Sequence, residues 1–216
     1  MSEIPVIHFF MLRHGESDAN ARCVYAGQFD TPLTDLGHAQ AGQVASHVPR
    51  LEIKPEIVIH SHLSRAIDTA RPSANALGLE MIEDIAWAEQ HYGDWQGVPH
   101  EQVKEQRAAG MDPPNGESYE DFRQRIVQAA ITTFAQYKMP LIVCHGGCFR
   151  ALAEHYGLPA IRVKNTTLYE FVPQEQSAEF PWTVYRYDRE TGEKCPDDHF
   201  CVENLTTSAR RRYPHE

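Results

Sequence analysis

Two short segments of this chain place histidine and glycine directly after an apolar run. Arg13-His14-Gly15 follows Phe9-Phe10-Met11-Leu12, and His145-Gly146-Gly147 follows Leu141-Ile142-Val143-Cys144. Arginine brings a fixed charge and a planar set of donors that suits phosphate. A histidine ring nitrogen can be nucleophilic near neutral pH. One such tripeptide often arises by chance, but two in the same chain indicate a histidine nucleophile aimed at a phosphoryl group.

Apolar runs and helical spacing alternate along the chain and predict the elements that carry these turns. We expect strands at Val6–Leu12, Ile57–Ile59, Leu79–Ile85, Leu141–Cys144, Thr167–Val172 and Thr183–Tyr187. The last two are expected to be antiparallel and to lie at an edge. Helices are expected from Thr34 towards Val48, and at Leu63–Leu77, Ser118–Tyr137 and Cys148–His155.

This alternation favours an α/β fold, a three-layer α/β/α sandwich around a mostly parallel central sheet. Ligands of such sheets bind at the carboxyl ends of the strands, so both His-Gly turns would lie at one edge. The length of 216 residues predicts one domain, 1–216. A polar segment rich in glycine and proline, 93–118, breaks the pattern and is predicted to be a small cap insertion over that edge.

Composition narrows the possible partners and the compartment. The net charge of −10 without a long basic run argues against nucleic-acid binding. A few converging arginines and histidines can still bind an anion, because they set a local field opposite to the net charge. No apolar run approaches the ~20 residues of a membrane span, and we expect no secretory signal in the first residues, which lack a basic stretch. Scattered cysteines favour a reduced, cytoplasmic protein.

The last segment, 188–216, is polar, lacks periodicity and contains three consecutive arginines near its end, Arg210-Arg211-Arg212. We expect it to form a tail that packs on this chain or on a second copy, which leaves a homodimer open. Cys195, His199 and Cys201 lie within it and could suggest a metal clip. However, no second ligand pair has the spacing of a zinc site, so we predict no metal site.

The segments around the two turns resemble the histidine phosphatase superfamily, which includes cofactor-dependent phosphoglycerate mutases and many phosphatases. The resemblance runs from about Ile7 to Phe171, with six motifs in family order. The motifs are Leu12-Arg13-His14-Gly15-Glu16-Ser17 with Asn20, Asp30-Thr31-Pro32-Leu33-Thr34 with Gly37, Ser61-His62-Leu63-Ser64-Arg65-Ala66 with Thr69-Ala70, Glu89-Gln90-His91-Tyr92-Gly93-Asp94-Trp95-Gln96-Gly97, Pro114-Asn115-Gly116-Glu117-Ser118, and His145-Gly146-Gly147. The resemblance implies a phosphoglycerate mutase-like fold.

The resemblance also implies a role for each site residue. His14 would be the nucleophile that forms a phosphohistidine. Glu89 would protonate the departing alkoxide and then act as base for the attacking water. Glu83 and Asp84 are nearby carboxylates that could serve instead of Glu89. The residues implied to surround the phosphoryl group are Arg13, Asn20, Gln28, Arg65, His145 and Gly146. Because arginines and histidines supply the charge, no metal and no cofactor are expected.

Two departures from the mutase pattern favour hydrolysis over isomerisation. The segment after the acid reads Tyr92-Gly93-Asp94-Trp95 and leads into a short insertion, and Gly147 follows the second His-Gly. We therefore predict a metal-independent phosphomonoesterase acting on a small-molecule phosphoester. A phosphoglycerate mutase-type transferase is the first alternative. A phospho-ligand-binding scaffold without turnover is an alternative from another class. Sugar phosphates, nucleotide-loop precursors and phosphoproteins all remain open as substrates.

Overall fold

A seven-stranded sheet runs through the part of the chain that the computed structural model describes, residues 3–174, 180–197 and 200. Its strands are β1 (Phe9–Arg13), β2 (Ile57–His60), β3 (Met81–Glu83), β4 (Pro140–Cys144), β5 (Leu168–Pro173), β6 (Trp182–Tyr187) and β7 (Lys194–Pro196). Their order is β3-β2-β4-β1-β5-β6-β7. The pairs β3·β2, β2·β4 and β4·β1 are parallel, and β5, β6 and β7 are added by antiparallel pairing.

Helices cover both faces of the sheet. The helices of the described residues are α1 (Asp18–Ala21), α2 (Asp35–His47), α3 (Ser64–Leu77), α4 (Lys104–Ala108), α5 (Tyr119–Gln136) and α6 (Gly146–His155). Of these, α2 and α3 cover one face, and α5 and α6 cover the other. Phe9 and Met11 of β1 point into an apolar cluster that contains residues of α5 and α6. Phe10 and Leu12 point into a second cluster, with residues of α2 and α3. A strand buried on both faces reads as a continuous apolar run. The predicted three-layer α/β/α sandwich is confirmed.

Hydroxyl side chains and a glycine mark the ends of three helices. The Thr34 hydroxyl accepts the Gly37 N–H at 3.0 Å at the start of α2. The Ser118 hydroxyl accepts the Asp121 N–H at 3.1 Å at the start of α5. Gly78 ends α3 with φ of +66°, a left-handed conformation that favours glycine.

The third strand is shorter than the sequence predicts. Leu79–Ile85 was the expected range, but only Met81–Glu83 pairs with β2. The Asp84 side chain accepts the Ala86 N–H at 2.9 Å and starts a 3₁₀ turn at Ile85–Trp87. A polar side chain that hydrogen-bonds nearby backbone competes with the hydrogen bonds between strands. The apolar pattern of the sequence does not show this competition, so it predicts too long a strand.

The start of the predicted tail is also part of the sheet. Lys194–Pro196 pairs with β6, and the Lys194 ammonium lies 2.7 Å from the buried carboxylate of Glu170 on β5. A three-residue edge strand held by backbone bonds and an ion pair leaves no periodic signal, so the sequence pattern does not identify this strand. His199, Cys201 and the terminal arginines lie outside the described residues, so the metal clip and the dimer contact stay untested.

The segment 93–118 contains 3₁₀ turns at Gly93–Trp95 and His100–Val103, followed by α4. Its backbone bonds to the loop after α1: the Gly97 N–H donates to the Tyr25 carbonyl at 2.7 Å, and the Tyr25 N–H donates to the Val98 carbonyl at 2.9 Å.

None of the helices in the described residues has the length and apolar character that a membrane span requires.

Candidate active site

The two His-Gly turns lie side by side because β1 and β4 are adjacent and parallel. The His14 N–H donates to the Cys144 carbonyl at 3.0 Å and so extends the ladder by one bond. The His14 and His145 rings lie with their centroids 5.1 Å apart and their planes tilted by 57°. Both rings are buried, with His14 only 4% exposed. The carboxyl edge of the sheet thus brings the two histidines into one site.

The hydrogen bonding of His14 determines which ring nitrogen is reactive. Its Nδ1 lies 2.7 Å from the Gly15 carbonyl oxygen. A carbonyl only accepts, so Nδ1 carries the proton and Nε2 keeps its lone pair. Burial, followed by the charges of Arg65 and Arg13, holds the pKa of His14 well below its ordinary value of 6.5. The ring is therefore neutral near pH 7 and has a nucleophilic nitrogen.

Arg65 is anchored by backbone groups of the loop before α2. Its Nη2 donates to the Gly27 carbonyl at 2.7 Å, and its Nη1 donates to the Phe29 carbonyl at 3.2 Å. Burial lowers the pKa of Arg65 to about 10, while the charges of Glu89 and Asp30 oppose that shift. The guanidinium remains a cation at neutral pH, beside the two histidines.

Arg13 is held in a similar way, with Nη1 donating to the Val163 carbonyl. Burial also lowers the pKa of Arg13, and the charge of Glu89 acts against it. Gly146, the first residue of α6, lies directly against this guanidinium: a Cβ added there would be 3.6 Å from Arg13 Nε. Both arginines thus present a fixed positive charge to the same space.

Several buried polar atoms around His14 have no hydrogen-bond partner within the described part of the chain. They are Arg13 Nε, His62 Nδ1, Arg65 Nε and both ring nitrogens of His145. Burial, followed by the charges of Arg65, His14 and Arg13, holds the pKa of His145 well below its ordinary value. An unpartnered buried polar group costs roughly 1–3 kcal/mol and calls for an explanation. Donors grouped around a neutral histidine suit an anionic oxygen.

Glu89 reaches the site from the irregular segment between the 3₁₀ turns Ile85–Trp87 and Gly93–Trp95. Its Oε2 accepts the Gly147 N–H at 3.0 Å, and its Oε1 accepts the Gln90 N–H at 2.9 Å. Asp84 caps a turn instead, and Glu83 is exposed on β3. The structure thus brings Glu89, among the three candidate carboxylates, to the His-Gly-Gly turn.

Two predicted phosphate ligands make contacts that support other parts of the site. The Gln28 side-chain amide donates to the Glu89 carbonyl at 3.0 Å, so this amide supports the segment that carries the carboxyl group. Asn20 accepts the Ser17 N–H through its Oδ1 at 3.2 Å, as part of the capping box of α1. The same oxygen accepts a bond from the Asn165 amide at 3.1 Å.

Sequence reasoning missed Asn165 and Thr166, which support the Arg13-His14 backbone from the turn just before β5. The Asn165 amide donates to the His14 carbonyl at 2.9 Å, and the Thr166 N–H donates to the Arg13 carbonyl at 3.0 Å. Thr166 has a φ of +54°, which is rare for a β-branched residue. Since β5 is antiparallel to β1, its first residues lie at the active edge. The antiparallel prediction for this strand was the available signal.

Comparison with known proteins establishes the family. The profile of the histidine phosphatase superfamily (branch 1) matches residues 9–182, and the chain belongs to this family. A glucosyl-3-phosphoglycerate phosphatase of Mycolicibacterium vanbaalenii is 34% identical over 168 residues, covering 69% of this chain and 74% of that protein. A 2,3-bisphosphoglycerate-dependent phosphoglycerate mutase of Bartonella tribocorum is 32% identical over 159 residues, covering 66% and 77%.

The fold agrees with solved structures of the family. A mycobacterial glucosyl-3-phosphoglycerate phosphatase in complex with VO3 matches with a TM-score of 0.68 and 28% identity, over 83% of this chain and 97% of that one. Membership of the superfamily and the phosphoglycerate mutase-like fold are therefore confirmed. The relatives include both phosphatases and mutases, which agrees with the predicted activity and with its first alternative.

Proposed function

We propose that this chain is a phosphomonoesterase that works through a phosphohistidine at His14. One observation carries the proposal: a neutral histidine, with its free nitrogen defined by the Gly15 carbonyl, lies among buried donors that have no partner in the described structure. A phosphoryl group supplies the acceptor oxygens that such donors need, and its phosphorus is the atom that a ring nitrogen attacks.

In the first step, Nε2 of His14 attacks phosphorus and the ester C–O–P bond breaks on the phosphorus side. Arg13, Arg65 and His145 bind the non-bridging oxygens as charge develops on them. Glu89 donates its proton to the departing alkoxide, which leaves as an alcohol. The products of this step are the alcohol, a phosphohistidine and an ionised Glu89.

In the second step, water replaces the alcohol. The Glu89 carboxylate takes a proton from the water as its oxygen attacks phosphorus. The P–N bond breaks, inorganic phosphate leaves, and His14 and Glu89 return to their starting protonation states. Arginines supply the positive charge, so we propose that the reaction needs neither metal nor cofactor.

Hydrolysis is preferred to isomerisation because of the short insertion after the acid. The helix in the segment 93–118, α4, is only five residues long. A small cap of this kind favours access of water to the phosphohistidine. A reducing compartment, the cytoplasm, also fits, since Cys23, Cys144, Cys148 and Cys195 are free thiols in the described residues.

The experiment compares wild type with His14→Ala on a panel of phosphomonoesters. We expect His14→Ala to abolish turnover and the acid-labile phosphoenzyme that rapid quenching traps in wild type. The exposed histidine of α2 supplies the matched control, His38→Ala, which should keep both. Phosphoglycerate isomerisation faster than hydrolysis would establish the mutase alternative. Phosphate binding by wild type without turnover on the panel would establish the scaffold alternative.

A further inference from the structure

We propose that Arg125 of α5, together with Glu117, is a positioning device for the general acid. The proposal rests on the proposed role of Glu89 as that acid. Arg125 would act on the reaction only through the backbone that carries Glu89. It is a positioning residue rather than a catalytic one.

All five N–H groups of Arg125 donate hydrogen bonds, to the Glu117 carboxylate and to three backbone carbonyls of the segment 86–89. Its Nε and Nη2 donate to the two carboxylate oxygens of Glu117, both at 2.8 Å. Its Nη1 donates to the carbonyls of Ala86 at 2.9 Å and Ala88 at 3.0 Å, and its Nη2 donates to the Glu89 carbonyl at 3.3 Å. A guanidinium has five N–H donors in a rigid plane, so none is left for a phosphoryl oxygen.

Glu117 holds the other side of the same segment. Its Oε2 accepts the His91 N–H at 3.2 Å, and its own N–H donates to the His91 carbonyl at 2.8 Å. The Gln90 side chain donates to the Glu117 carbonyl at 2.9 Å. The backbone is therefore bound to this ion pair both before and after Glu89.

This bracing matters because the acid lies outside regular structure. The 3₁₀ turn ends at Trp87 and the next one begins at Gly93, so no ladder orients the residues between them. A displacement of about 1 Å in a catalytic group can cost on the order of 10²-fold in rate. The Arg125 guanidinium is itself oriented by the Phe122 ring, whose centroid lies 5.2 Å away.

The test measures kcat/KM of the full chain on two esters with different needs for a proton. The p-nitrophenolate of p-nitrophenyl phosphate leaves without one, whereas the alkoxide of glycerol phosphate must be protonated. We expect Arg125→Gln to lower kcat/KM on glycerol phosphate by about 10- to 100-fold, part of the ~10²–10⁴ that acid catalysis contributes. On p-nitrophenyl phosphate the change should stay within about threefold.

Three further variants complete the design. Arg125→Lys keeps the charge but not the planar fork, and is expected to resemble Arg125→Gln. Glu117→Gln preserves the side-chain shape and provides the same measurement if Arg125→Gln fails to fold. Arg123→Gln is the control: it removes a neighbouring arginine whose ion pair with Glu120 is exposed. It should leave kcat/KM on both esters unchanged.

Glu89→Gln separates failure of this inference from failure of the proposed function. If Glu89→Gln lowers kcat/KM equally on both esters, Glu89 is not the acid and the proposed mechanism fails. If Glu89→Gln lowers kcat/KM on glycerol phosphate alone while the Arg125 and Glu117 variants leave it unchanged, the positioning role is wrong. A loss of kcat/KM on glycerol phosphate alone in Glu89→Gln, in both Arg125 variants and in Glu117→Gln supports both the proposed mechanism and the positioning role.

Discussion

At the scale of single residues, Gly147 leaves the space that the Glu89 carboxyl group occupies. A Cβ added at Gly147 would lie 2.1 Å from Glu89 Oε1 and 3.0 Å from the Phe122 ring. The carboxyl group is the far end of a flexible side chain, so it can move away while the backbone stays in place. Glycine at 147 is therefore needed for the position of the carboxyl group more than for the fold.

We expect Gly147→Ala to lower kcat/KM on alkyl phosphates by about 10²-fold, within the range of lost acid catalysis. The reason is steric displacement of the Glu89 carboxyl group from the Gly147 N–H. A double-mutant cycle with Glu89→Gln checks this, because the glycine acts through Glu89. Adding Gly147→Ala to Glu89→Gln should cost little more. Additive losses in the cycle would contradict this explanation.

At the scale of elements, the loop after β1 is clamped between two helices. The Gly15 N–H donates to the Thr69 hydroxyl of α3 at 2.9 Å. On the other side, the Thr34 hydroxyl at the start of α2 donates to Glu16 Oε1 at 2.9 Å. A Cβ added at Gly37 would lie 2.0 Å from the Glu16 carbonyl oxygen. The first turn of α2 therefore touches the backbone next to His14-Gly15, which carries the proposed nucleophile.

The two glycines of α2 should respond oppositely to alanine. Gly37→Ala forces a backbone shift, and we expect it to lower the free energy of unfolding by about 1–3 kcal/mol and to reduce activity. Gly42→Ala meets nothing within 4 Å and should stabilise by about 0.5–1 kcal/mol through helix propensity. Urea denaturation of both variants measures this. Equal effects of the two substitutions would show that α2 is not packed this closely against the loop.

At the scale of the whole molecule, charge is distributed unevenly. The chain carries a net charge of −10, yet the site combines Arg13 and Arg65 with two buried histidines. Burial and the nearby guanidinium groups lower the pKa of both His14 and His145. The folded site therefore resists protonation of both histidines, including His14, the proposed nucleophile.

This resistance predicts how stability depends on pH. Below the unfolded-state pKa of about 6.5, the unfolded chain binds protons at His14 and His145 that the folded chain excludes. As the pH is lowered below 6.5, the free energy of unfolding should therefore decrease, by at most about 1.4 kcal/mol per pH unit for each histidine. Above 6.5 this contribution is constant. Urea denaturation in phosphate-free buffer between pH 5 and 8, roughly the range in which histidine titrates, measures the slope.

His145→Gln should make that slope shallower, because one excluded proton is removed. His38→Gln is the matched control for the substitution itself, since this histidine is exposed on α2. An unchanged slope in His145→Gln would mean that the ring is protonated in the folded state.

The amino-acid sequence by itself determined the buried strands, the helix caps and the placing of both His-Gly turns at strand ends. These are local properties. The apolar run of β1 and the hydroxyl of Ser118 depend on neighbours a few residues away, so their periodicity and spacing can be read directly. The family motifs added the order of the site residues and, with it, the expected roles of His14 and Glu89.

Only the tertiary structure decided which groups hold those residues in place. Asn165 bonds the His14 carbonyl across 151 positions, and Gly147 bonds the Glu89 carboxylate across 58. Arg125 binds the carbonyl groups around Glu89 from a helix that the chain reaches later. Such contacts depend on how packed elements meet, which no periodicity in the sequence encodes. The sequence therefore identified the chemical groups, and packing determined their geometry.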